Sequence, residues 1–265
     1  MEARRRGRRR WIGFALAAAA FYGLAALWAH AVSDGMMFHP EYGSRAAPPG
    51  GFFIRQTDGT KLSAVYLPKP GARFTLWYFH GNAEDLGDIA PRLQALHKLG
   101  FAVFAVDYPG YGLSGGKTNE AGIYASTQAA LGHLRDRLKI TPPQLVLYGR
   151  SLGAGPAIEL ARREPVAGLV VESAFMSVYR VMTHWPLLPG DKFENLRKLP
   201  AVHCPVLVIH GRDDQVVPFM HGEALLAAVT GRRRHLWVDF AGHNDLLQSA
   251  GENYWRTLRD FAREL

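Results

Sequence analysis

The chain has a single cysteine, Cys204, in 265 residues, so an internal disulfide is excluded. Cys204 precedes Pro205 at the entry to an apolar strand and reads as a buried, inert thiol. Metal-ligand spacing is missing as well: there is no H-E-x-x-H, no paired cysteine and no cluster of carboxylates. No internal repeat or low-complexity tract occurs beyond the first 30 residues. A large excess of one charge sign is confined to the N-terminus. The formal net charge is +8, but six arginines and Glu2 among the first ten residues supply +5 of it, leaving +3 on the other 255 residues. The only other basic run, Arg232-Arg233-Arg234, reads as a solvated turn before a strand. A nucleic-acid surface needs a basic patch on the folded domain, so a nucleic-acid partner is not expected.

What is present begins with an uncharged apolar stretch from Trp11 to Ala29. As a helix, its ~19 residues would span about 28 Å, close to the hydrocarbon thickness of a bilayer. Arginines precede it, Asp34 and Glu41 follow it, and Trp11 and Trp28 mark its ends. These features suggest a basic cytosolic tail over 1–10 and a single-pass transmembrane anchor over 11–32, with the rest of the chain on the extracytoplasmic side. Two alternatives stay open. Ala29-His30-Ala31 fits the cleavage site of a secretory signal, which would make the protein secreted or periplasmic, and a buried or peripheral helix fits the composition too. Residues 33–51, rich in Pro and Gly toward their end, read as a linker.

From residue 52 onward, strand-type and helix-type segments alternate. Strands are expected at 52–56, 62–67, 73–79, 101–107, 145–148, 169–171, 206–210 and 235–238, with a turn at Asp58-Gly59. Helices are expected at 85–99, 120–138, 152–163, 223–229 and 246–263. This order implies one α/β domain over 52–265: a mostly parallel eight-stranded sheet, helices on both faces and an antiparallel opening edge. Loops at the carboxyl ends of such strands build the site.

One of those ends carries Gly149-Arg150-Ser151-Leu152-Gly153, a G-x-S-x-G between an apolar strand and a small-residue helix. A serine there is forced onto a sharp strand-to-helix turn that exposes its hydroxyl. The motif alone is weak: with 28 Gly, chance supplies roughly 0.1 matches. A second match surrounds Ser114, but it sits in a turn-rich segment with no helix following, so Ser114 reads as a loop residue. The rival role for Ser151 is a helix cap.

Partners lie past two later strands. Asp213 and Asp214 follow one, and His243 follows the last. A serine hydroxyl needs an imidazole to take its proton and a carboxylate to orient that imidazole. The residues themselves leave both aspartates open, with Glu172 as an outside candidate whose better role is a buried structural carboxylate. Backbone N–H groups around Phe79-His80-Gly81-Asn82, together with that of Leu152, are candidates for an oxyanion hole. His80 reads as a brace for that loop.

With these motifs in order, the chain resembles the α/β-hydrolase superfamily, especially its small membrane-anchored serine hydrolases. The matching residues are His80-Gly81-Asn82, Asp107 to Gly112 with Ser114, the turn around Ser151, His210-Gly211 through Asp214 to Pro218, and Gly242-His243-Asn244. The resemblance implies Asp214 as the acid and the backbone of Asn82 as an oxyanion donor. It also implies hydrolysis of carboxylic esters or thioesters through an acyl-enzyme on Ser151, with no cofactor and a small-molecule or lipid acyl substrate. Relatives of this kind include esterases, lipases, peptidases and protein-depalmitoylating thioesterases. Acyl transfer, peptide cleavage and a non-catalytic tethered binding module are the alternatives. A small lid over about 173–203 carries Phe175, Met176, Tyr179, Met182, Trp185, Leu187 and Leu188, which fit an apolar cover and ordinary packing on the sheet equally well.

Overall fold

The computed structural model describes residues 2–183 and 189–265. Its centre is an eight-stranded sheet in the order β1-β2-β4-β3-β5-β6-β7-β8. The strands are β1 (Phe52–Arg55), β2 (Lys61–Leu67), β3 (Thr75–Phe79), β4 (Ala102–Val106), β5 (Leu145–Arg150), β6 (Gly168–Glu172), β7 (Val206–Gly211) and β8 (Arg233–Val238). The sheet is mixed. β1 pairs antiparallel with β2 and β2 antiparallel with β4, while β4, β3, β5, β6, β7 and β8 pair in parallel. The first hairpin turns at Asp58-Gly59, where Asp58 Oδ1 accepts the Thr60 N–H at 2.9 Å and Gly59 takes φ 87°.

Each central strand is buried on both faces, because helices cover both. The period of two assigns the faces: Trp77 and Phe79 enter one core, Leu76 and Tyr78 the other. The second core includes Leu86, Ile89, Leu93 and Leu96 of the helix Leu86–Leu99, and Tyr254, Leu258 and Phe261 of the closing helix Glu252–Arg263. Both sets follow helical spacing. The first core takes Ile123, Ala130, Leu131 and Leu134 from Glu120–Asp136, and Ala157, Ile158 and Leu160 from Ala154–Arg163.

Three regions bear on the sequence expectation. The closing helix is two helices, Leu246–Ala250 and Glu252–Arg263, because Gly251 turns the backbone to φ 53°. Two short helices, Val178–Thr183 and Asn195–Lys198, lie in the segment expected as a lid. There Phe175 and Met176 are buried, Phe175 against the edge of Phe193. Trp185, Leu187, Leu188 and the side chain of Met182 lie outside the described residues.

The third concerns the N-terminus. A helix runs Glu2–Met37, but among the described residues no helix is long and apolar enough to cross a membrane. The expected single-pass transmembrane anchor over 11–32, and the extracytoplasmic topology built on it, therefore find no support among the described residues. The side chains of residues 28–32, Trp28 included, lie outside the described set.

Where β5 meets the next helix, the chain turns through Ser151–Gly153, and Ser151 holds φ 50°. Positive φ is costly for a residue with a side chain and persists only where the surroundings enforce it. Here two glycines do so. A Cβ on Gly149 would stand 2.6 Å from Ala154 Cα, and one on Gly153 would overlap the Phe79 carbonyl and lie 2.7 Å from the His80 oxygen. The turn is thus pressed backbone to backbone against the loop after β3. Gly153→Ala is expected to lower the melting temperature by about 5 °C, the cost of overpacking at a site that cannot yield. A thermal melt equal to that of wild type would contradict it.

Candidate active site

In a parallel array the carboxyl ends of β3, β5, β7 and β8 share one edge. The loops leaving that edge bring together three side chains that are far apart in sequence. His243 Nε2 lies 3.0 Å from Ser151 Oγ, and His243 Nδ1 lies 2.8 Å from Asp214 Oδ2. With Nδ1–H donated to the carboxylate, Nε2 is left to accept the serine hydroxyl proton. Asp214 is 3% exposed, and its Oδ1 accepts the N–H groups of Val216 at 2.9 Å and Val217 at 2.8 Å. Burial works against its charge, but the hydrogen bond and charge of His243 and the Val217 N–H outweigh it, so its carboxyl is held below the ordinary range. Asp213 is exposed and its side chain does not join this chain of hydrogen bonds.

The other candidates fall around this core. Leu152 follows Ser151 in the turn, so its N–H belongs to the same backbone bend. Asn82 leaves the β3 loop that Gly153 abuts. Its side chain is pinned: Oδ1 accepts from Tyr111 Oη at 2.6 Å and from the His39 N–H at 3.0 Å, and Nδ2 donates to the Met37 carbonyl at 2.6 Å. The expected linker over 33–51 is therefore docked along part of its length. Phe38 is buried against the edge of Phe193, and Asp85 accepts from Ser44 Oγ at 2.8 Å and from the Arg45 N–H at 2.5 Å.

His80 is fully buried, with Nδ1 donating to the Gly81 carbonyl at 2.8 Å and Nε2 standing 3.6 Å from Asp107. Burial pushes the imidazole below its usual pKa and the Asp107 carboxyl up to about 7. Ser114 is a buried brace: Oγ accepts the Ser63 N–H and donates to the Asp107 carbonyl, both at 2.9 Å. Glu172 pairs with Arg92 at 2.7 Å and Arg150 at 3.3 Å, away from the imidazole. Cys204 is half-buried where full burial was expected, and the burial it has drives its thiol up to about 12, where it is inert.

Sequence reasoning missed Arg150, Glu84 and Asn244, which surround the turn from behind. Their separations of 66 and 94 residues leave no local signal. Arg150 occupies a variable position of the G-x-S-x-G pattern, so the pattern did not single it out.

The protein-family model described as Hydrolase_4, serine aminopeptidase S33, matches residues 70–195. Alpha/beta hydrolase domain-containing protein aho-3 of Caenorhabditis elegans is 41% identical over 200 residues, covering 73% of this chain and 59% of the relative. Alpha/beta hydrolase domain-containing protein 17C of Homo sapiens is 37% identical over 204 residues, covering 74% and 60%. The chain thus spans about three fifths of the length of these curated relatives. Among solved structures, a Pyrococcus furiosus esterase superposes with a TM-score of 0.69 at 20% identity, covering 81% of this chain and 90% of that one. A hydrolase from Pseudomonas aeruginosa superposes with a TM-score of 0.62 at 18% identity, covering 80% and 98%. At such identities the superpositions speak for the fold alone. The sheet order, the strained serine turn on β5 and these relatives agree on one assignment: the chain belongs to the α/β-hydrolase superfamily.

Proposed function

We propose that the protein is a serine hydrolase that cleaves carboxylic esters or thioesters through an acyl-enzyme on Ser151. The observation that carries this reading is the continuous hydrogen-bonded relay Ser151 Oγ, His243, Asp214, at 3.0 and 2.8 Å. Ser151 Oγ attacks the acyl carbonyl as His243 Nε2 takes its proton, and Asp214 stabilises the imidazolium that forms. The backbone N–H groups of Leu152 and Asn82 receive the oxyanion. Collapse of the tetrahedral intermediate breaks the bond to the alcohol or thiol, which leaves with the proton from His243. Water, deprotonated by the same imidazole, then attacks the acyl-enzyme and frees the carboxylic acid and Ser151. These steps call for no metal or organic cofactor.

Two features favour an acyl substrate of some apolar extent. Val216 and Phe240 sit on the loops that carry Asp214 and His243, and they are 55% and 87% exposed. Two and three residues from Asp214 and His243 in sequence, they offer exposed apolar surface that an acyl chain could cover. The test is a panel of p-nitrophenyl esters of increasing chain length, with one acyl thioester and one peptide amide. Turnover of the esters and the thioester, with the amide slowest, is expected. Amide cleavage faster than ester cleavage would replace this reading with a peptidase.

The choice of acid is tested separately. Asp214→Asn is expected to reduce kcat by about 10⁴, because the wrong imidazole tautomer then faces the serine. Asp213→Asn is expected to stay within about twofold of wild type, because its exposed side chain takes no part in the relay. Comparable losses in the two variants would contradict the assignment.

A further inference from the structure

We propose that Arg150 is a positioning residue that holds the serine turn, the loop after β3 and the loop carrying His243 in register through one guanidinium. The proposal rests on the serine-hydrolase reading for its consequence in rate, though not for its structural content. Arg150 immediately precedes Ser151, so its backbone belongs to the strained turn. Its Nη1 lies 3.0 Å from both carboxylate oxygens of Glu84, and Glu84 Oε1 in turn accepts the Gly81 N–H at 2.5 Å. That ties the turn to the loop carrying Asn82. Its Nη2 donates to Asn244 Oδ1 at 2.7 Å and to the His243 carbonyl at 3.3 Å. That ties the turn to the loop carrying the imidazole. Its Nε stands 3.3 Å from Glu172 Oε1, which keeps the stem of the fork over the end of β6.

No other charged side chain touches all of these elements among the described hydrogen bonds and ion pairs. Arg150 is 8% exposed, so water is a poor substitute for its contacts. A planar fork suits this role, because its donors diverge at fixed angles and reach two loops at once, which the single point charge of a lysine does not. Relay geometry is sensitive at this scale, since a displacement of about 1 Å can cost ~10² in rate.

The test uses the full chain, in Arg150→Lys and Arg150→Gln. Amides of residues 81–85 and 241–245 are expected to exchange with deuterium at least about tenfold faster, both loops together, while those of β1 and β2 keep their wild-type rates. Fluorophosphonate labelling of Ser151 is expected to slow by about 30–100-fold. Asn244→Ala is expected to give part of that slowing and to add nothing when combined with Arg150→Gln. Unchanged exchange in either loop overturns the proposal. So does faster exchange spread evenly over the chain in both variants, which would make Arg150 a general stabiliser. So do labelling losses that multiply in the double variant. A wild-type chain that fails to label sinks the serine-hydrolase reading instead, and the exchange of the two loops still decides the clamp.

Discussion

Ser151→Ala is expected to reduce ester turnover by about 10⁴–10⁶-fold while leaving the melting temperature within ~2 °C of wild type. The substitution removes one oxygen. The turn survives, because Gly149 and Gly153 permit its close approach to Ala154 and to the β3 loop, and neither changes. What is lost is the only hydroxyl hydrogen-bonded to His243 Nε2 among the described residues. Residual activity reflects oxyanion stabilisation and binding without a nucleophile. For that reason His243→Ala and the double variant are expected to fall to nearly the same floor. The measurements are kcat for a short-chain ester and a thermal melt of the same sample. Turnover within about tenfold of wild type would mean that another group carries the chemistry.

Glu172→Ala is expected to destabilise the fold by about 3–5 kcal/mol, or roughly 10 °C in melting temperature, because it removes the buried carboxylate shared by the half-buried Arg92 and the buried Arg150. The carboxylate is fully buried. It pairs with Arg92 and Arg150 and accepts hydrogen bonds from the hydroxyls of Tyr148 and Tyr254. Burial alone would raise its pKa, but Arg92, then Arg150, then the tyrosine hydroxyls reverse the sign and bring it to about 2, against 4.5 for a free glutamate. A depressed acid contributes stability that is present above the unfolded pKa and is lost as pH falls toward the folded one. The wild-type stability curve is therefore expected to fall between about pH 4.5 and 2, by up to about 3 kcal/mol from this group. The variant is expected to lack that limb, so the two curves converge in acid. Unfolding measured against pH for both proteins decides it, and parallel curves would contradict the account.

Much of the fold was legible because its sheet is buried on both faces. Continuous apolar runs such as 102–106 and 206–209 have no other economical use in an α/β chain. All eight expected strands are present, with ends moved by up to two residues. The boundaries moved where side chains, not the apolar pattern, set them. Asp85 is the cap of its helix and not its first residue, closed by reciprocal hydrogen bonds with Asp88. The helices Val178–Thr183 and Asn195–Lys198 are too short to show a period. Gly251 was the visible warning of a break in the closing helix.

The candidate site was legible in its parts and not in its support. Ser151, Asp214 and His243 stand one short loop past their strands, so parallel pairing is enough to gather them on one edge. The separation of Asp214 from Asp213 depends on which backbone N–H groups cradle the carboxylate, which spacing alone does not reveal. The docking of residues 37–45 onto Asn82 and Asp85, and the reach of Arg150 to Asn244, depend on contacts across 40 to 94 residues. The N-terminal stretch is legible in composition only. Its composition suggests a bilayer span, yet among the described residues no helix is long and apolar enough to form one.

The central claim is that Ser151 is a nucleophile activated by His243. The most direct measurement is the site of covalent modification by a fluorophosphonate, located by peptide mass spectrometry of the wild-type chain and of His243→Ala. One adduct is predicted, on the peptide containing Ser151, forming at least about 10³-fold more slowly without the imidazole. An adduct on Ser114, or labelling of Ser151 at the same rate in both proteins, would contradict it.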